Sequence, residues 1–593
     1  MNAARRPPVR IDRDVEVAMR DGTVLRCDVW RADDGRPRPA VLIRTPYDRA
    51  GTNNDFLRPM DCVARDYACV VQDTRGRAGS GGEWTVLMPD QEGRDTHDSV
   101  EWIAGQPWCD GNVVMAGASY LGIVQLLGAA ERPPHLRAIA PAMTGSAELD
   151  REYGGGATRL NEVVTWLAFM ALDWLERERA AGRPADPAAR HALWRLAADP
   201  TAALHATPPG KLPQFDIPGF PVDAGAMLAA GTPGIAESFR YAEIAVPALS
   251  VTGWFDNFCG QTIESFRRLR ESGGGGAPAR SAHRLIVGPW AHDGRLAYCQ
   301  GEVSFTAEAD PSVIGLAAQH IAFFDEHVRG AGTPTPAVRY FLMGADEWRT
   351  ADAWPPPGTV RRTWYLDSGG HANTADGDGV LTPAPPVPPD DGGPDDHYDY
   401  DPADPVPTRG GRVVNLGRLV PGPLDRSHLE RRADILCYTS PPLDADLDVV
   451  GPVQMWLYAA SSATDTDFAA RLVDVCPDGR ALPVAEGIQR ARHRAHPDGG
   501  GEGTGLPLVP GETAEFLIRL GHTAWRFPRG HRLRVEVTSS DFPAYDRNMN
   551  TGDPVGADGA ADARGIVAHQ TVRHTAEWPS RLEFGALESG DAS

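Results

Sequence analysis

Cysteine is scarce in this sequence, with eight residues among 593 and no C-x-x-C pair. The two closest, Cys62 and Cys69, do not have the ligand spacing of a zinc site. Scattered cysteines also do not form the dense disulfide framework that small secreted domains use. The pattern is typical of reduced thiols in a cytosolic protein.

The sequence also lacks a long apolar run and an excess of basic residues. No segment approaches the roughly 20 consecutive apolar residues that a membrane-spanning helix needs, and the first residues, M-N-A-A-R-R-P-P-V-R, lack the apolar core of a signal peptide. Lysine and arginine number 58 against 80 acidic residues, which gives a formal net charge of −22. Such a surface repels nucleic acid and anionic membranes. We therefore expect a cytoplasmic protein that binds neither nucleic acid nor membranes.

Length and composition indicate a multidomain globular protein. A chain of 593 residues, 42% of them hydrophobic, is too long for one hydrophobic core and predicts about two to four domains. In the first third, short apolar runs alternate with helical stretches, one of them near 90–104; the runs include A-V-L-I-R-T (40–45), A-C-V-V-Q-D (68–73) and V-V-M-A (113–116). Buried strands that alternate with helices are typical of an α/β domain with a largely parallel sheet.

The pattern changes twice further along the chain. Residues 147–241 have apolar residues at helical spacing, especially over 159–178, and no convincing strand, which predicts an all-helical insertion in the position of a cap. Strand patterns return at 246–252 and 284–287, and a helix near 313–328 closes the α/β domain, which then comprises 1–146 and 242–352. Over 353–593, alternating runs separated by Gly, Pro and Asp turns predict a β-sandwich, of which the jelly roll is one form.

Residues 113–122, V-V-M-A-G-A-S-Y-L-G, are similar to the nucleophile turn of a serine hydrolase. A buried strand precedes Ser119 and a potential helix follows it. The turn would therefore expose the hydroxyl at a helix N-terminus, where backbone N–H groups favour an anion. The usual pattern is G-x-S-x-G, whereas here Leu121 occupies the last position and the glycine follows as Gly122. Taken alone, the motif leaves a buried structural serine as the alternative.

Two further residues follow strands in the order that an α/β hydrolase requires. A serine hydroxyl needs an imidazole base that a carboxylate orients, and in this fold the chain order is serine, acid, histidine. Asp256 lies just beyond the strand at 246–252, and His292 just beyond the strand at 284–287. Other histidines fit less well, because His283 precedes its strand and His320 lies within a predicted helix. The sequence therefore predicts a triad of Ser119, Asp256 and His292.

An oxyanion hole needs two hydrogen-bond donors. The backbone N–H of Tyr120, the residue after the serine, is placed to donate. The second donor should come from the loop after an earlier strand, where the segment A-V-L-I-R-T-P-Y-D (40–48) contains Tyr47. A phenol with a pKa of about 10 is a neutral donor at pH 7 and can stabilise negative charge. The alternative for Tyr47 is an aromatic residue that packs on the helical insertion.

Several segments together resemble those of one known family. They are R-T-P-Y-D (44–48), Q-D-T-R-G (72–76), G-A-S-Y-L-G (117–122), G-W-F-D-N-F (253–258) and G-P-W-A-H (288–292), with D-P-A-D-P-V-P (401–407) and N-M-N-T-G (548–552) in the C-terminal half. The chain resembles the CocE/NonD family of cocaine esterase-like hydrolases, which is related to X-Pro dipeptidyl-peptidases and α-amino-acid ester hydrolases. That family carries G-x-S-Y-x-G, so Leu121 and Gly122 agree with its pattern.

The resemblance implies a fold and a set of site residues. The fold is an α/β-hydrolase domain with an inserted all-helical cap at 147–241 and a C-terminal jelly-roll domain at 353–593. By resemblance, Ser119 is the nucleophile, His292 the general base and Asp256 the orienting acid. Tyr47 and the Tyr120 amide form the oxyanion hole.

The resemblance also bears on the substrate pocket. Trp166 and Phe258 resemble the aromatic residues that line the family's acyl pocket, although Trp166 equally fits an ordinary apolar helix face. We expect a serine hydrolase that cleaves a small-molecule ester or amide through an acyl-enzyme and needs no cofactor. A homodimer is a possible assembly. We also expect no metal, because the carboxylates of T-D-T-D-F (464–468) lack an oxygen-rich loop with the spacing of a calcium site.

Other functions remain open at this point. The same triad serves X-Pro dipeptidyl-peptidases, α-amino-acid ester hydrolases or amidases, and acyltransferases. Peptidases and hydrolases of α-amino substrates must hold an ammonium group, for which the insertion offers four acidic candidates, Glu148, Asp150, Glu152 and Glu162. From a different class, the chain could be a binding protein that uses its β-sandwich to recognise carbohydrate or another protein.

Overall fold

The computed structural model of the chain describes residues 7–51, 56–85, 89–146, 153–183, 186–206, 211–229, 239–292, 298–331, 335–387, 394–414, 419–494, 505–553 and 565–587. All eight cysteines lie within these ranges and are free. Seven of them are buried, and Cys299 is exposed.

Twelve strands lie in the described part of the N-terminal 351 residues. They are β1 (Val9–Ala18), β2 (Val24–Ala32), β3 (Arg38–Thr45), β4 (Ala68–Asp73), β5 (Cys109–Ala118), β6 (Leu136–Ala142), β7 (Leu249–Phe255), β8 (Arg284–Ala291), β9 (Cys299–Gln300), β10 (Val303–Ser304), β11 (Val338–Leu342) and β12 (Glu347–Ala351). β9 and β10 form a small ribbon, and the other ten form one sheet in the order β1-β2-β4-β3-β5-β6-β7-β8-β11-β12. The seven central strands, from β4 to β11, run parallel, and the pairings at the two edges are antiparallel.

Ten α-helices accompany these strands in the described residues. They are α1 (Pro59–Ala64), α2 (Pro89–Ala104), α3 (Tyr120–Ala130), α4 (Leu160–Ala180), α5 (Pro187–Ala198), α6 (Thr201–Leu204), α7 (Ala224–Ala229), α8 (Cys259–Ser272), α9 (Gly276–Ser281) and α10 (Leu316–Val328). Short 3-10 helices occur at Pro213–Phe215, Tyr241–Glu243, Ala307–Ala309, Leu429–Arg431 and Ala491–His493. No helix in the described ranges combines the length and apolar character that crossing a bilayer requires.

The central strands are buried on both faces. Every residue of β3, β4, β7 and β8 is buried, as is every residue of α3. This explains why these strands are nearly continuous apolar runs instead of alternating patterns, because helices cover both faces of a parallel sheet. The predicted α/β domain is therefore confirmed.

The regular secondary structure described between β6 and β7 is helical. The four helices α4 to α7 lie here, and this part of the described chain contains no strand. Apolar side chains of α4, α5 and α7 pack into one hydrophobic cluster, which includes Val164, Leu167, Leu193 and Leu228 and is joined by Trp84 and Phe542. The helix expected over 159–178 corresponds to α4.

The C-terminal region is built of strands. They are β13 (Val360–Asp367), β14 (Val380–Thr382), β15 (Asp396–Tyr400), β16 (Leu436–Thr439), β17 (Leu447–Ser461), β18 (Asp467–Val475), β19 (Ala481–Arg490), β20 (Ala514–Phe527), β21 (Arg532–Thr538), β22 (Ala568–Arg573) and β23 (Arg581–Leu587). Ten follow the order β15-β22-β17-β23-β13-β14-β16-β21-β18-β19, and β20 pairs with β17. The predicted sheet-rich C-terminal domain is confirmed.

Two strand ends differ from the sequence expectation in a way that affects the site. The strand expected at 246–252 begins at Leu249, because Pro247 has no N–H to donate to a sheet, and it extends to Phe255. The strand expected at 284–287 extends to Ala291. As a result, Asp256 and His292 each follow their strand directly.

Candidate active site

Ser119 occupies the turn between β5 and α3. Its backbone has φ 60° and ψ −126°, a strained conformation for a residue with a side chain. The Ser119 N–H donates a 2.9 Å hydrogen bond to the carbonyl of Ala142 at the end of β6, which holds the turn against the sheet. Such a turn places the serine at the carboxyl edge of the sheet and at the N-terminus of a helix.

The glycines around Ser119 are required by close packing. A Cβ at Gly117 would lie 2.5 Å from Leu121 Cβ, so the leucine occupies the space that a side chain at 117 would need. A Cβ at Gly122 would lie 2.3 Å from Thr144 Oγ1 and 3.1 Å from the carbonyl oxygen of Ala142. The glycine is therefore needed at 122, where α3 approaches the end of β6, and Leu121 is accommodated because its neighbour at 117 has no side chain.

Asp256 and His292 are joined by a hydrogen bond. His292 Nδ1 lies 2.8 Å from Asp256 Oδ1, and the aspartate is fully buried. Asp256 accepts two more bonds, from the backbone N–H of Phe258 at 3.1 Å and from Thr252 Oγ1 at 2.7 Å. The Phe258 ring lies edge-on to the His292 ring, with 5.3 Å between centroids. Three donors thus hold the carboxylate in place, and the carboxylate in turn orients the imidazole through its Nδ1 edge.

Tyr47 connects the Ser119 turn to helix α4. The Trp166 indole N–H donates a 3.1 Å hydrogen bond to the Tyr47 hydroxyl, which also interacts with the Ser119 side chain. Tyr47 keeps 40% of its surface accessible to solvent, but the protein packed around it raises the pKa of its phenol, which is therefore neutral at pH 7. The backbone N–H of Tyr120 lies in the first turn of α3 and has no acceptor within the helix.

The Tyr120 side chain belongs to a buried polar network that sequence reasoning missed. Its hydroxyl donates a 2.6 Å hydrogen bond to Glu92 Oε1, and Arg44 Nη1 donates to Glu92 Oε2 at 2.9 Å. Burial raises the pKa of Glu92, and the Arg44 charge opposes that shift. Arg44 begins the motif R-T-P-Y-D (44–48), but no local sequence pattern indicates that it pairs with a glutamate 48 positions later.

Arg77 is a second buried residue that sequence reasoning missed. Its guanidinium donates to the carbonyl oxygens of Pro46 at 2.9 Å and Met170 at 3.2 Å, and it pairs with Asp173 at 2.9 Å. The same group lies 4.7 Å from the centroid of the Trp84 ring. Arg77 therefore ties the turn that carries Tyr47 to two successive turns of α4.

Of the four acidic candidates for an ammonium site, the structure describes one. Glu148, Asp150 and Glu152 lie outside the described residues. Glu162 lies on α4, where its carboxylate accepts a 3.0 Å hydrogen bond from Asn257 Nδ2. Because Asn257 follows Asp256 directly, this bond links α4 to the loop that carries the acid.

The other histidines considered from the sequence are used in packing. His283 is buried and its Nδ1 accepts a 3.1 Å hydrogen bond from the backbone N–H of Ala248. His320 is buried and its Nδ1 bonds to the carbonyl of Leu316 at 2.9 Å. Burial lowers the pKa of each to about 4, so both are neutral at pH 7.

The T-D-T-D-F carboxylates are paired with arginines. Asp465 accepts from Arg492 Nε at 2.8 Å, and Asp467 is paired with Arg490 at 2.9 Å. Both carboxylates therefore have an arginine as a partner.

One group of potential metal ligands occurs in the described residues, consisting of Asp474, Cys476 and His531. Both oxygens of Asp474 already accept hydrogen bonds, from His531 Nδ1 at 2.8 Å and Trp525 Nε1 at 3.0 Å. Burial raises the pKa of the Cys476 thiol to about 11. A protonated thiol and a carboxylate whose two oxygens both accept hydrogen bonds favour a hydrogen-bonded cluster over a metal centre.

The fold and this site define an α/β hydrolase. Ser119, Asp256 and His292 follow β5, β7 and β8, which are parallel strands of one sheet, so all three lie at its carboxyl edge. The chain belongs to the X-Pro dipeptidyl-peptidase (S15) family of serine hydrolases: residues 21–294 match the model of that family, and residues 330–583 match the model of the X-Pro dipeptidyl-peptidase C-terminal non-catalytic domain.

Individual relatives agree with this assignment. The chain is 37% identical to the cocaine esterase of Rhodococcus sp. (strain MB1 Bresler) over 592 residues, which cover 96% of each protein. The crystal structure of an aminopeptidase from a marine sediment archaeon, Thaumarchaeota archaeon, superimposes with a TM-score of 0.72 at 24% identity, over 98% of this chain and 96% of that chain. The structure of an α-amino acid ester hydrolase gives a TM-score of 0.73 at 23% identity, over 98% and 97%. The resemblance to cocaine esterase-like hydrolases is therefore confirmed.

Proposed function

We propose that the protein is a carboxylesterase in which Ser119 is the nucleophile, His292 the general base and Asp256 the acid that orients it. The observation that carries this proposal is the 2.8 Å hydrogen bond between His292 Nδ1 and the buried Asp256 carboxylate. Its position at the same edge of the sheet as the strained Ser119 turn supports a common site for the three side chains.

The bond to Asp256 determines which nitrogen of His292 acts as the base. Because the carboxylate can only accept, the ring proton would lie on Nδ1, and Nε2 would be the nitrogen that takes a proton. As Ser119 Oγ forms a bond to the ester carbonyl carbon, its proton passes to Nε2. The imidazolium returns that proton to the alcohol oxygen as the C–O bond breaks, which leaves an acyl-Ser119. Water repeats these steps on the acyl-enzyme and releases the carboxylic acid.

The developing oxyanion would be stabilised by the Tyr47 hydroxyl and the Tyr120 N–H. The interaction of Tyr47 with the Ser119 side chain supports this role, because it places the phenol next to the proposed nucleophile. The raised pKa of Tyr47 keeps its proton in place at neutral pH. Neutral donors aimed at the site of developing charge stabilise it without themselves ionising.

The finer architecture is also part of the proposal. Residues 147–241 would form a helical cap on an α/β-hydrolase domain of 1–146 and 242–352, and residues 353–593 a jelly roll. Trp166 would border the acyl pocket. Phe258 is only 4% exposed, which supports a main role in holding the His292 ring. A small-molecule ester or amide partner, a cytoplasmic location and a homodimer stay predictions from the sequence.

The test is the Ser119→Ala variant, whose turnover of a short-chain aryl ester should be slower by about 10⁴-fold or more. Circular dichroism should show an unchanged fold, and a fluorophosphonate probe should label the wild-type protein stoichiometrically but not the variant. Ser281→Ala, on the surface helix α9, is the matched control and should keep full activity. Wild-type turnover by Ser119→Ala would refute the proposal, and absence of labelling would favour the binding-protein alternative.

Substrate comparison separates the enzymatic alternatives. Turnover of an acyl ester should exceed that of an X-Pro-anilide, whose ammonium needs a carboxylate to bind it. Of the four acidic candidates, Glu162 lies in the described residues and accepts a hydrogen bond from Asn257. Product analysis with an added alcohol acceptor distinguishes hydrolysis from acyl transfer.

A further inference from the structure

The hydrogen bond between Trp166 and Tyr47 has a fixed direction. An indole N–H can only donate, so at 3.1 Å it must use a lone pair of the Tyr47 hydroxyl oxygen. A phenol has one proton of its own to donate. With Trp166 on one side of the oxygen, that proton must point elsewhere, and the Ser119 side chain also interacts with this hydroxyl.

Both partners of this bond are held by the same buried side chain. Arg77 donates to the carbonyl of Pro46, the residue before Tyr47, and to the carbonyl of Met170, one helical turn after Trp166. The distance between the indole and the phenol is therefore determined by a fixed bridge as well as by their own contact.

The Trp166 ring is also fixed in orientation. It packs edge-on against Trp84, with 5.9 Å between ring centroids, and the Arg77 guanidinium lies over Trp84 at 4.7 Å. Tyr47, in contrast, is 40% exposed, so packing on its ring restrains it less than it restrains the indole. A residue that only formed a pocket wall would need an aromatic surface but no N–H.

We propose that Trp166 is a positioning residue for the oxyanion hole: its indole N–H fixes the direction in which the Tyr47 hydroxyl donates, so that the phenol proton faces the carbonyl oxygen of the bound ester. The inference rests on the proposed function of Tyr47. It adds a role for the helical segment, which then contributes to transition-state stabilisation through α4 as well as to substrate enclosure.

The test is a double-mutant cycle of Trp166→Phe and Tyr47→Phe. Tyr47→Phe removes an oxyanion donor and should slow turnover by about 10²–10³-fold. Trp166→Phe keeps an aromatic ring but removes the N–H, and it should slow turnover on the order of tenfold, the worth of one neutral hydrogen bond, with KM nearly unchanged. In the Tyr47→Phe background the same tryptophan substitution should have almost no further effect on kcat.

Each outcome of the cycle has one meaning. If the kcat effects of the two substitutions multiply, or if Trp166→Phe raises KM while kcat is kept, Trp166 acts as a pocket wall and the inference is wrong. If Tyr47→Phe alone keeps full activity, the proposed oxyanion role of Tyr47 fails instead. Trp174→Phe is the matched control, because Trp174 lies two turns further along α4 and packs on Phe220. Thermal denaturation of every variant separates loss of fold from loss of positioning.

Discussion

Tyr120 has two separable roles, one for its backbone in the reaction and one for its side chain in stability, and a single substitution can distinguish them. The proposed mechanism uses only its backbone N–H, whereas its phenol is 2% exposed and donates a 2.6 Å hydrogen bond to the buried Glu92. Tyr120→Phe deletes that hydroxyl and leaves the backbone intact. We expect the variant to be less stable but to retain its chemistry.

The magnitude follows from the charge on the acceptor. Arg44 Nη1 pairs with Glu92 at 2.9 Å, so the glutamate is the acceptor of charge-assisted hydrogen bonds in a buried setting. A hydrogen bond to a charged group contributes about 1.5–3 kcal/mol, and its loss leaves a buried carboxylate with one donor fewer. The free energy of unfolding should fall by that amount, while turnover stays within about threefold of wild type because the oxyanion donor is unchanged.

Urea denaturation followed by tryptophan fluorescence, together with turnover of an aryl ester, measures both effects. Tyr67→Phe is the matched control, because Tyr67 donates a 2.8 Å hydrogen bond to Asp325, a partly exposed acceptor, and should therefore lose less stability. If Tyr120→Phe instead slowed turnover by about two orders of magnitude at unchanged stability, the phenol and not the amide would serve the reaction, which would refute the reasoning.

Two further predictions test packing and pH dependence. Gly122→Ala places a Cβ 2.3 Å from Thr144 Oγ1, so the free energy of unfolding should fall by about 1–3 kcal/mol and turnover should slow as α3 moves. Gly105→Ala is the control, because its new Cβ would meet nothing closer than 3.6 Å. Equal effects at both positions would contradict the steric argument. Burial lowers the pKa of His522 to about 3, below its unfolded value of about 6.5. The unfolded state therefore binds the extra proton, and between these values each fall of one pH unit should remove up to about 1.4 kcal/mol. Between pH 7 and pH 4, the melting temperature of His522→Gln should depend less on pH than that of wild type or of the exposed-site control His371→Gln. Identical slopes for the three proteins would contradict this role of His522.

Local patterns predicted much of the framework. The helix near 90–104 is α2, the helix near 313–328 includes α10, and the runs at 40–45 and 68–73 lie in β3 and β4. These predictions succeed because burial on both faces of a parallel sheet leaves a continuous apolar run, and because a helix repeats its apolar face every three to four residues. The strand ends were harder to predict, since the extension of β7 to Phe255 depends on pairing with β8 and has no local signal.

Some site residues could be predicted from local sequence patterns and others could not. Asp256 and His292 could be selected from chain order and strand ends alone, and the structure joins them by a hydrogen bond, although their catalytic roles stay a proposal. Trp166 could not be assigned from its sequence, because an aromatic residue on a helix face has the same spacing whether it packs in a core or contacts a tyrosine 119 positions earlier.

The sequence by itself determined which segments form the central strands and which chemical groups follow them in the chain, because strand formation and chain order are written in local apolar patterns. Only the tertiary structure decided how those groups are held. The Glu92 network beneath Tyr120 and the Arg77 bridge between Pro46 and α4 join segments that are distant in the chain, and the directions of hydrogen bonds between such segments depend on packing that no local pattern encodes.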